Sequence, residues 1–455
     1  MNTALLSLSI GWTLVAPPVE ADSDPAATDA PVEVTPGNEN APPGGAEGRE
    51  IADGTPTAVV AEPAAPAPKA KQDVPEPVVA PASVLEPQPA SILEQDLVCD
   101  EEPPQIWDGF KIASRDGRHS LDFGFLGQLR TTVQDTATGD PSGGFSVRLA
   151  RPTMVAQLWG GRVAMRLMPE FAGGTPSLLD ATATVKANDA FAVQVGQFRP
   201  WISRGYRTGL PVVGLPGRGQ IVDRFRIDRD VGLTVRGQPF GGKFEYYFGV
   251  LNGSGPGSRT LAPSPLLTGR VVVAPLGSVP YTQTPYVHDT GPRSKDRDAP
   301  PRNPMAVAVG AAAYTVANRE NYVLDDGTTL RTDPRRKWGA SGDIVVSRRR
   351  VFAMAEGFYE HRFGFENTPV PSEDAWGVYG QAGVLAWNPF LDVTFRSGLM
   401  SDFDRHFVPI EPGINVYFYG NHGKLQLSYR CDVDLQNHSH GCSTHVGTLQ
   451  AQLLF

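Results

Sequence analysis

Between residues 199 and 229 the chain places seven arginines, Arg199, Arg204, Arg207, Arg218, Arg224, Arg226 and Arg229, against two acids, Asp223 and Asp228. That local excess of five positive charges nearly equals the +6 of residues 105–455 as a whole, where 37 basic residues face 31 acidic ones. A guanidinium is a planar fork of donors that matches phosphate or carboxylate oxygens. Two unit charges at 4 Å are worth about 4 kcal/mol at an effective dielectric of 20, so several spaced sites pass an anion along where one deep site would hold it. Arg224, Arg226 and Arg229 have an alternative: pairing with Asp223, Asp228 and Asp230 would make a neutral latch. Arg199, Arg204, Arg207 and Arg218 have no acid within several positions and are expected to carry the uncompensated charge.

Other chemistries are poorly represented. His119, His288, His361, His406 and His422 are scattered, and no nucleophilic serine stands at a recognisable spacing from any of them, so no enzyme and no cofactor is expected. Thirty-one of the 37 basic residues after 104 are arginines spread along the chain without Lys/Arg-rich runs, which argues against nucleic acid as a partner.

The elements that position the arginines follow a period of two from His119 onward. Val163, Met165 and Leu167 alternate with Arg162, Ala164, Arg166 and Met168; Val231, Leu233 and Val235 alternate with Gly232, Thr234 and Arg236. About sixteen such runs are expected, near 119–135, 145–158, 162–168, 178–187, 191–196, 231–236, 243–252, 265–275, 304–317, 337–347, 350–364, 375–387, 391–400, 411–420, 423–433 and 446–455, with Tyr281 to Pro304 as a long loop. Soluble sandwiches of that size would need linkers between domains, and none interrupts 119–455. A single antiparallel transmembrane β-barrel, lipid outside and water inside, explains both the spacing and the polar second face. An Arg facing lipid at the bilayer midplane costs about 2–4 kcal/mol, so Arg162 and Arg166 are expected to point into the lumen. Arg148, Arg151, Arg162, Arg166 and Arg236 would form a secondary charged track there. In the last run Phe455, Leu453, Ala451 and Leu449 share one face, Gln452 and Gln450 the other, and the run ends on an aromatic residue, as outer-membrane barrel strands do.

The segment between the Phe191 and Val231 strands, which holds the seven arginines, is then the constriction. Cys431 and Cys442 flank the last connection, which also holds His438, His440 and His445. With both termini periplasmic this loop faces outside, where a Cys431–Cys442 disulfide is expected ahead of adventitious metal binding; no specific metal site is expected.

The start of the chain differs from the rest. Leu5 to Val15 is apolar and is followed by Val19-Glu20-Ala21, which predicts a signal peptide over 1–21, although Met1-Asn2-Thr3 lacks Lys or Arg. Residues 22–104 hold 17 acidic and 3 basic residues, 16 Pro, 15 Ala and no aromatic. Such a composition cannot bury enough apolar surface to offset chain entropy, so 22–105 is expected to be a disordered periplasmic linker, extended enough to approach peptidoglycan. The barrel is assigned to 106–455. No run reaches the length of a membrane-spanning helix; Met305 to Ala317 comes nearest.

Six stretches in order, Trp107-Asp-Gly-Phe-Lys-Ile-Ala-Ser-Arg-Asp-Gly117, Phe145-Ser-Val-Arg-Leu-Ala-Arg-Pro152, Val195-Gly-Gln-Phe-Arg-Pro200, Arg229-Asp-Val-Gly232, Phe248-Gly-Val-Leu-Asn-Gly-Ser-Gly255 and Gly413-Ile-Asn-Val-Tyr-Phe-Tyr419, resemble the phosphate-selective porin O and P family. The resemblance covers roughly 106–455. It implies a sixteen-stranded, usually trimeric diffusion channel in outer-membrane lipid, general or anion-selective, with the third extracellular loop folded inward. Residues 105–455 contain six lysines, Lys111, Lys186, Lys243, Lys295, Lys337 and Lys424, with no cluster near the arginine-rich segment. A weak preference for small anions is therefore expected in place of strict phosphate selectivity. The alternative is a structural barrel that anchors the acidic linker to the cell wall and conducts little.

Overall fold

Short alternating runs bounded by Gly, Pro, Asp and Asn fold as strands because one face can meet hydrocarbon while the other meets polar partners. The computed structural model describes residues 110–455 apart from 137–138, 286–304, 324–329, 349, 365–369, 404 and 437–440. The expected signal peptide and linker lie outside the described residues. The strands are β1 (Phe110–Ala113), β2 (Ser120–Thr136), β3 (Ser142–Leu158), β4 (Val163–Glu170), β5 (Ser177–Asn188), β6 (Phe191–Phe198), β7 (Asp230–Gly237), β8 (Phe244–Leu251) and β9 (Ser264–Val273). They continue as β10 (Met305–Val323), β11 (Leu330–Arg348), β12 (Val351–Arg362), β13 (Glu373–Trp387), β14 (Leu391–Asp402), β15 (Arg405–Tyr417), β16 (Gly423–Asp434) and β17 (Thr444–Leu454).

Strands β2 to β17 pair antiparallel with their sequence neighbours, and β17 returns to pair with β2 from Thr444↔Thr136 to Leu454↔Leu126, so a sixteen-stranded barrel closes. Phe455 and Phe125 extend that seam by exchanging backbone hydrogen bonds of 3.1 and 2.6 Å. Short β1 pairs with Ser120–Phe123, covering β2 where β17 has already ended. The connections at this terminal end are mostly tight, such as Trp159–Arg162 and Asp189–Ala190, and the wide Arg199–Arg229 connection opens from the opposite end. Among the described residues no helix is long and apolar enough to cross a membrane; the strands do the crossing.

Sidedness follows the predicted phase. On β17, Leu449 and Leu453 are 48% and 59% exposed while Gln450 and Gln452 are 1% and 5%. On β16, Leu425, Leu427 and Tyr429 face outward and Lys424, Gln426 and Ser428 inward. Strand β3 holds the rule across an irregularity: its register against β2 skips Arg148 between Leu129↔Val147 and Gln128↔Leu149, a β-bulge that resets the phase. Strand β12 departs from it. Its buried row contains Phe352, Met354 and Phe358 beside Glu356 and Glu360, because an inserted helix, not water, covers that stretch of wall.

Leu427→Arg, which would put a guanidinium on the lipid face near mid-strand, is expected to destabilise the barrel by about 2–4 kcal/mol. Ser428→Ala on the opposite face should cost markedly less. Urea titration of the folded fraction in lipid vesicles compares the two.

Candidate pore constriction

The connection between β6 and β7 turns into the barrel, and it is held there by reciprocal use of backbone groups. Helix α1 (Arg204–Arg207) is capped by Ser203, whose hydroxyl accepts from Tyr206 N, and by Glu356 on β12. The two carboxylate oxygens of Glu356 accept from the N–H groups of Arg204 (2.7 Å) and Gly205 (2.9 Å). These amides are orphan donors of a first turn, and a buried carboxylate is their strongest available acceptor. Beyond a 3-10 turn at Leu210–Val212 the segment presents carbonyls to donors on the wall. Lys424 Nζ donates to Pro211 O (2.7 Å) and Val213 O (3.2 Å), Asn415 Nδ2 to Gly214 O (2.8 Å), and Arg396 Nη1 to Gly217 O (3.1 Å). Helix α2 (Gln220–Phe225) then packs Ile221, Val222 and Phe225 onto the apolar row of β12, with Phe225 stacked on Phe358 at 5.4 Å. Gly219 precedes this helix at φ 91°, a backbone conformation that strains any residue with a Cβ, and a side chain there would also have to displace the Arg396 guanidinium, 2.7 Å from the Cβ position.

The seven arginines divide by partner. Arg224 makes a bidentate pair with Asp402 (2.6 and 2.7 Å) and reaches Glu360, Arg226 pairs with Asp223 at 3.2 Å, and Arg229 with Asp180 at 2.7 Å. Burial alone would depress the Arg229 guanidinium, but Asp180 beside it holds it above the ordinary range. The other four are buried and donate to carbonyls: Arg199 to Tyr206 O, Arg207 to Arg199 O, Arg204 to Val279 O and Pro280 O, Arg218 to Thr208 O. Aromatic faces complete their surroundings, with Arg207 3.6 Å from the centroid of Trp201, Arg204 4.3 Å from that of Tyr281, and Arg199 and Arg218 both near Tyr206. Tyr206 donates to Asp228 at 2.5 Å, and burial followed by the Asp228 charge pushes its hydroxyl up. Burial and the neighbouring Arg199 push Arg218 down to about 9, still charged at neutral pH. Arg218 borders a small recess together with Arg396, Glu411 and Arg430.

The secondary track is discontinuous. Arg166 faces inward beside Asp180 (3.8 Å), Arg151 pairs with Glu170 (2.9 Å), and Arg236 is buried near Trp201. Arg148 is the half-buried bulge residue of β3. Arg162 lies in the exposed turn before β4, at the terminal mouth and not along the inner wall, because the strand begins one residue later.

Cys431 and Cys442 form a disulfide with Cα atoms 5.4 Å apart, at the far end from the termini. His445 takes a 2.5 Å hydrogen bond with Tyr429, His438 and His440 lie outside the described residues, and among the described residues no His, Cys, Asp and Glu converge as a metal site. The wall residues that carry the inserted segment, Glu356, Asn415 and Lys424, were not singled out from sequence. Their signal was there: each is a polar residue on the inward phase of its own strand.

A family model for phosphate-selective porin O and P matches residues 135–394. The chain belongs to the phosphate-selective porin O and P family. This porin is an outer-membrane channel with a closed sixteen-stranded barrel. The outer-membrane channel DcaP of Acinetobacter baumannii is similar over 77% of this chain and all of its own length, at 11% identity and a TM-score of 0.50. An anion-selective porin from Comamonas acidovorans is 12% identical, covering 74% of this chain and 100% of its own, with a TM-score of 0.45. A trimer form of OmpT from Vibrio cholerae is 12% identical, covering 74% and 99%, with a TM-score of 0.49. No curated protein matches the porin.

Glu356→Ala leaves two amides of α1 without their acceptor, and hydrogen bonds to a charged group are worth about 1.5–3 kcal/mol each. Trypsin is expected to cut after Arg204 and Arg207 roughly tenfold or more faster than in wild type, and Glu356→Gln to fall between. Mass mapping of the fragments from folded barrels measures this.

Proposed function

We propose that this porin lets small solutes diffuse passively and prefers small anions such as chloride or inorganic phosphate. The observation that carries this reading is the environment of Arg218. Its guanidinium donates to the Thr208 carbonyl, not to an acid, and lines a recess with Arg396 and Arg430, of which Arg396 is neutralised by Glu411 at 2.5 Å and Arg430 by Asp432 at 3.3 Å. One cation in excess at the mouth of the inserted segment attracts anions without trapping them. Of the seven loop arginines, Arg218 is therefore assigned the largest part in selectivity, Arg224, Arg226 and Arg229 act as the latch, and Arg199, Arg204 and Arg207 stiffen the loop. The chain is read as a homotrimer, as its family resemblance implies, with residues 22–105 as a periplasmic linker behind a cleaved signal peptide.

A second reading, a barrel that anchors the linker to peptidoglycan and conducts little, is favoured by one observation. The inward wall residues Gln128, Thr394, Gln426 and Gln450, on β2, β14, β16 and β17, are each no more than 2% exposed. A water-filled hole would leave them wet.

Reversal potentials in planar bilayers with a tenfold potassium chloride gradient separate these readings. Wild type is expected to give the sign for chloride, weakening as salt rises. Arg218→Gln should move the potential toward zero with little loss of current, whereas Arg207→Gln should lower thermal stability and leave the potential in place. A cation-selective wild type would overturn the anion reading, and absence of current would favour the anchor.

A further inference from the structure

The connection between β9 and β10 starts from the terminal end, where most connections are tight, yet its described part does not stay at the rim. Val279–Pro285 runs into the lumen beneath the inserted β6–β7 segment. Tyr281, Thr282, Gln283 and Thr284 are 0–3% exposed. Gln283 N donates to Val212 O at 2.9 Å, Tyr281 Oη to Glu245 at 3.1 Å, and the Tyr281 ring packs edge-on to Trp201 at 5.8 Å. Arg204 clamps the entry by donating to Val279 O and Pro280 O. The fit is close: a Cβ on Gly214 would stand 2.7 Å from Gln283 O, and one on Gly383 of β13 would stand 3.2 Å from Pro285 Cγ.

The two inward segments are fastened very differently. The β6–β7 segment is bound by a carboxylate, a lysine and two arginines paired with acids of the wall. Ala274–Pro285 contains no Asp, Glu, Lys, Arg or His, so it can leave without exposing an unpaired charge of its own. Its seat is also imperfect, since both amide atoms of the fully buried Gln283 and Nε2 of the facing Gln381 lack a protein partner. Buried amides without partners favour the state in which water reaches them.

We propose that Val279–Pro285 is a reversible plug, seated under the constriction in the state seen here and withdrawn toward the terminal end when the pore conducts. The inference rests on the channel reading above. Withdrawal uncovers one side of the inserted segment to water.

Three forms of the full chain test it in planar bilayers, all carrying Cys99→Ser. Replacing 279–285 by a Gly/Ser run of equal length is expected to raise single-channel current several-fold over wild type. The pair Pro285→Cys with Gly383→Cys staples the plug to β13, and its oxidised form should conduct less than wild type until reductant is added. Wild type with reductant controls for opening of Cys431–Cys442. Wild-type current in both the replacement and the oxidised staple would overturn the plug while the channel reading stands. No current from any form, the replacement included, overturns both. A thiol readout needs no current: Thr284→Cys should react with a charged maleimide at least tenfold more slowly than Leu276→Cys on the same connection. Equal rates would show that the segment does not seat and overturn the plug.

Discussion

Backbone N–H and C=O groups in or within a bilayer must find partners other than lipid, and this requirement governs the whole molecule. For the strands it is met by closure: the ladder runs from β2 around to β17 and back without an edge, and β1 covers the stretch of β2 that the end of β17 leaves open. For the inserted segments it is met by side chains of the wall. Lys424, Asn415, Gln426, Gln452, Arg396 and Arg130 all donate to carbonyls between Pro211 and Gly217, and Glu356 accepts from the amides of α1. The inward polar row thus solvates protein backbone where an open pore would have it face water.

That arrangement changes what the arginines do. A guanidinium that donates to a carbonyl and lies on an aromatic ring gains packing and hydrogen bonds while keeping its charge. Arg207 against Trp201 and Arg204 against Tyr281 are held in this way. The field of the loop is consequently that of a rigid cationic insert, trimmed by Asp402, Asp223 and Asp180, and not that of a row of mobile side chains.

Most of the barrel was legible in the sequence because membrane strands obey one rule. All sixteen expected runs are strands, with ends a few residues off where the rule lapses. Strand β10 extends past Ala317 through a polar stretch, β11 begins before Lys337 through a polar stretch that holds Pro334, and β15 starts at Arg405, six residues ahead of expectation. Beyond the hydrocarbon, alternation is no longer required, so the pattern fades while the backbone pairing continues. The inserted segment was legible as a charge cluster, but its pairing was only partly so. Arg226 meets Asp223 nearby, and Arg229 stands 3.9 Å from Asp228, whereas Arg224 reaches Asp402, 178 positions away, and Arg229 makes its shorter contact with Asp180 on β5, two strands over. Sequence spacing cannot show partners brought together by closure. The inward course of Val279–Pro285 left no periodic signal, since a neutral Pro/Thr stretch reads as a loop wherever it lies.

The central claim, that apolar rows meet lipid while polar rows face a filled interior, is open to a direct measurement. Nitroxide labels placed singly at 448 to 454 of β17 in vesicles would report collision with oxygen, which concentrates in lipid, and with a water-soluble nickel chelate. The account predicts strong oxygen relaxation at 449, 451 and 453 and weak response to both reagents at 450 and 452. A reversed phase, or equal oxygen access along the strand, would contradict it.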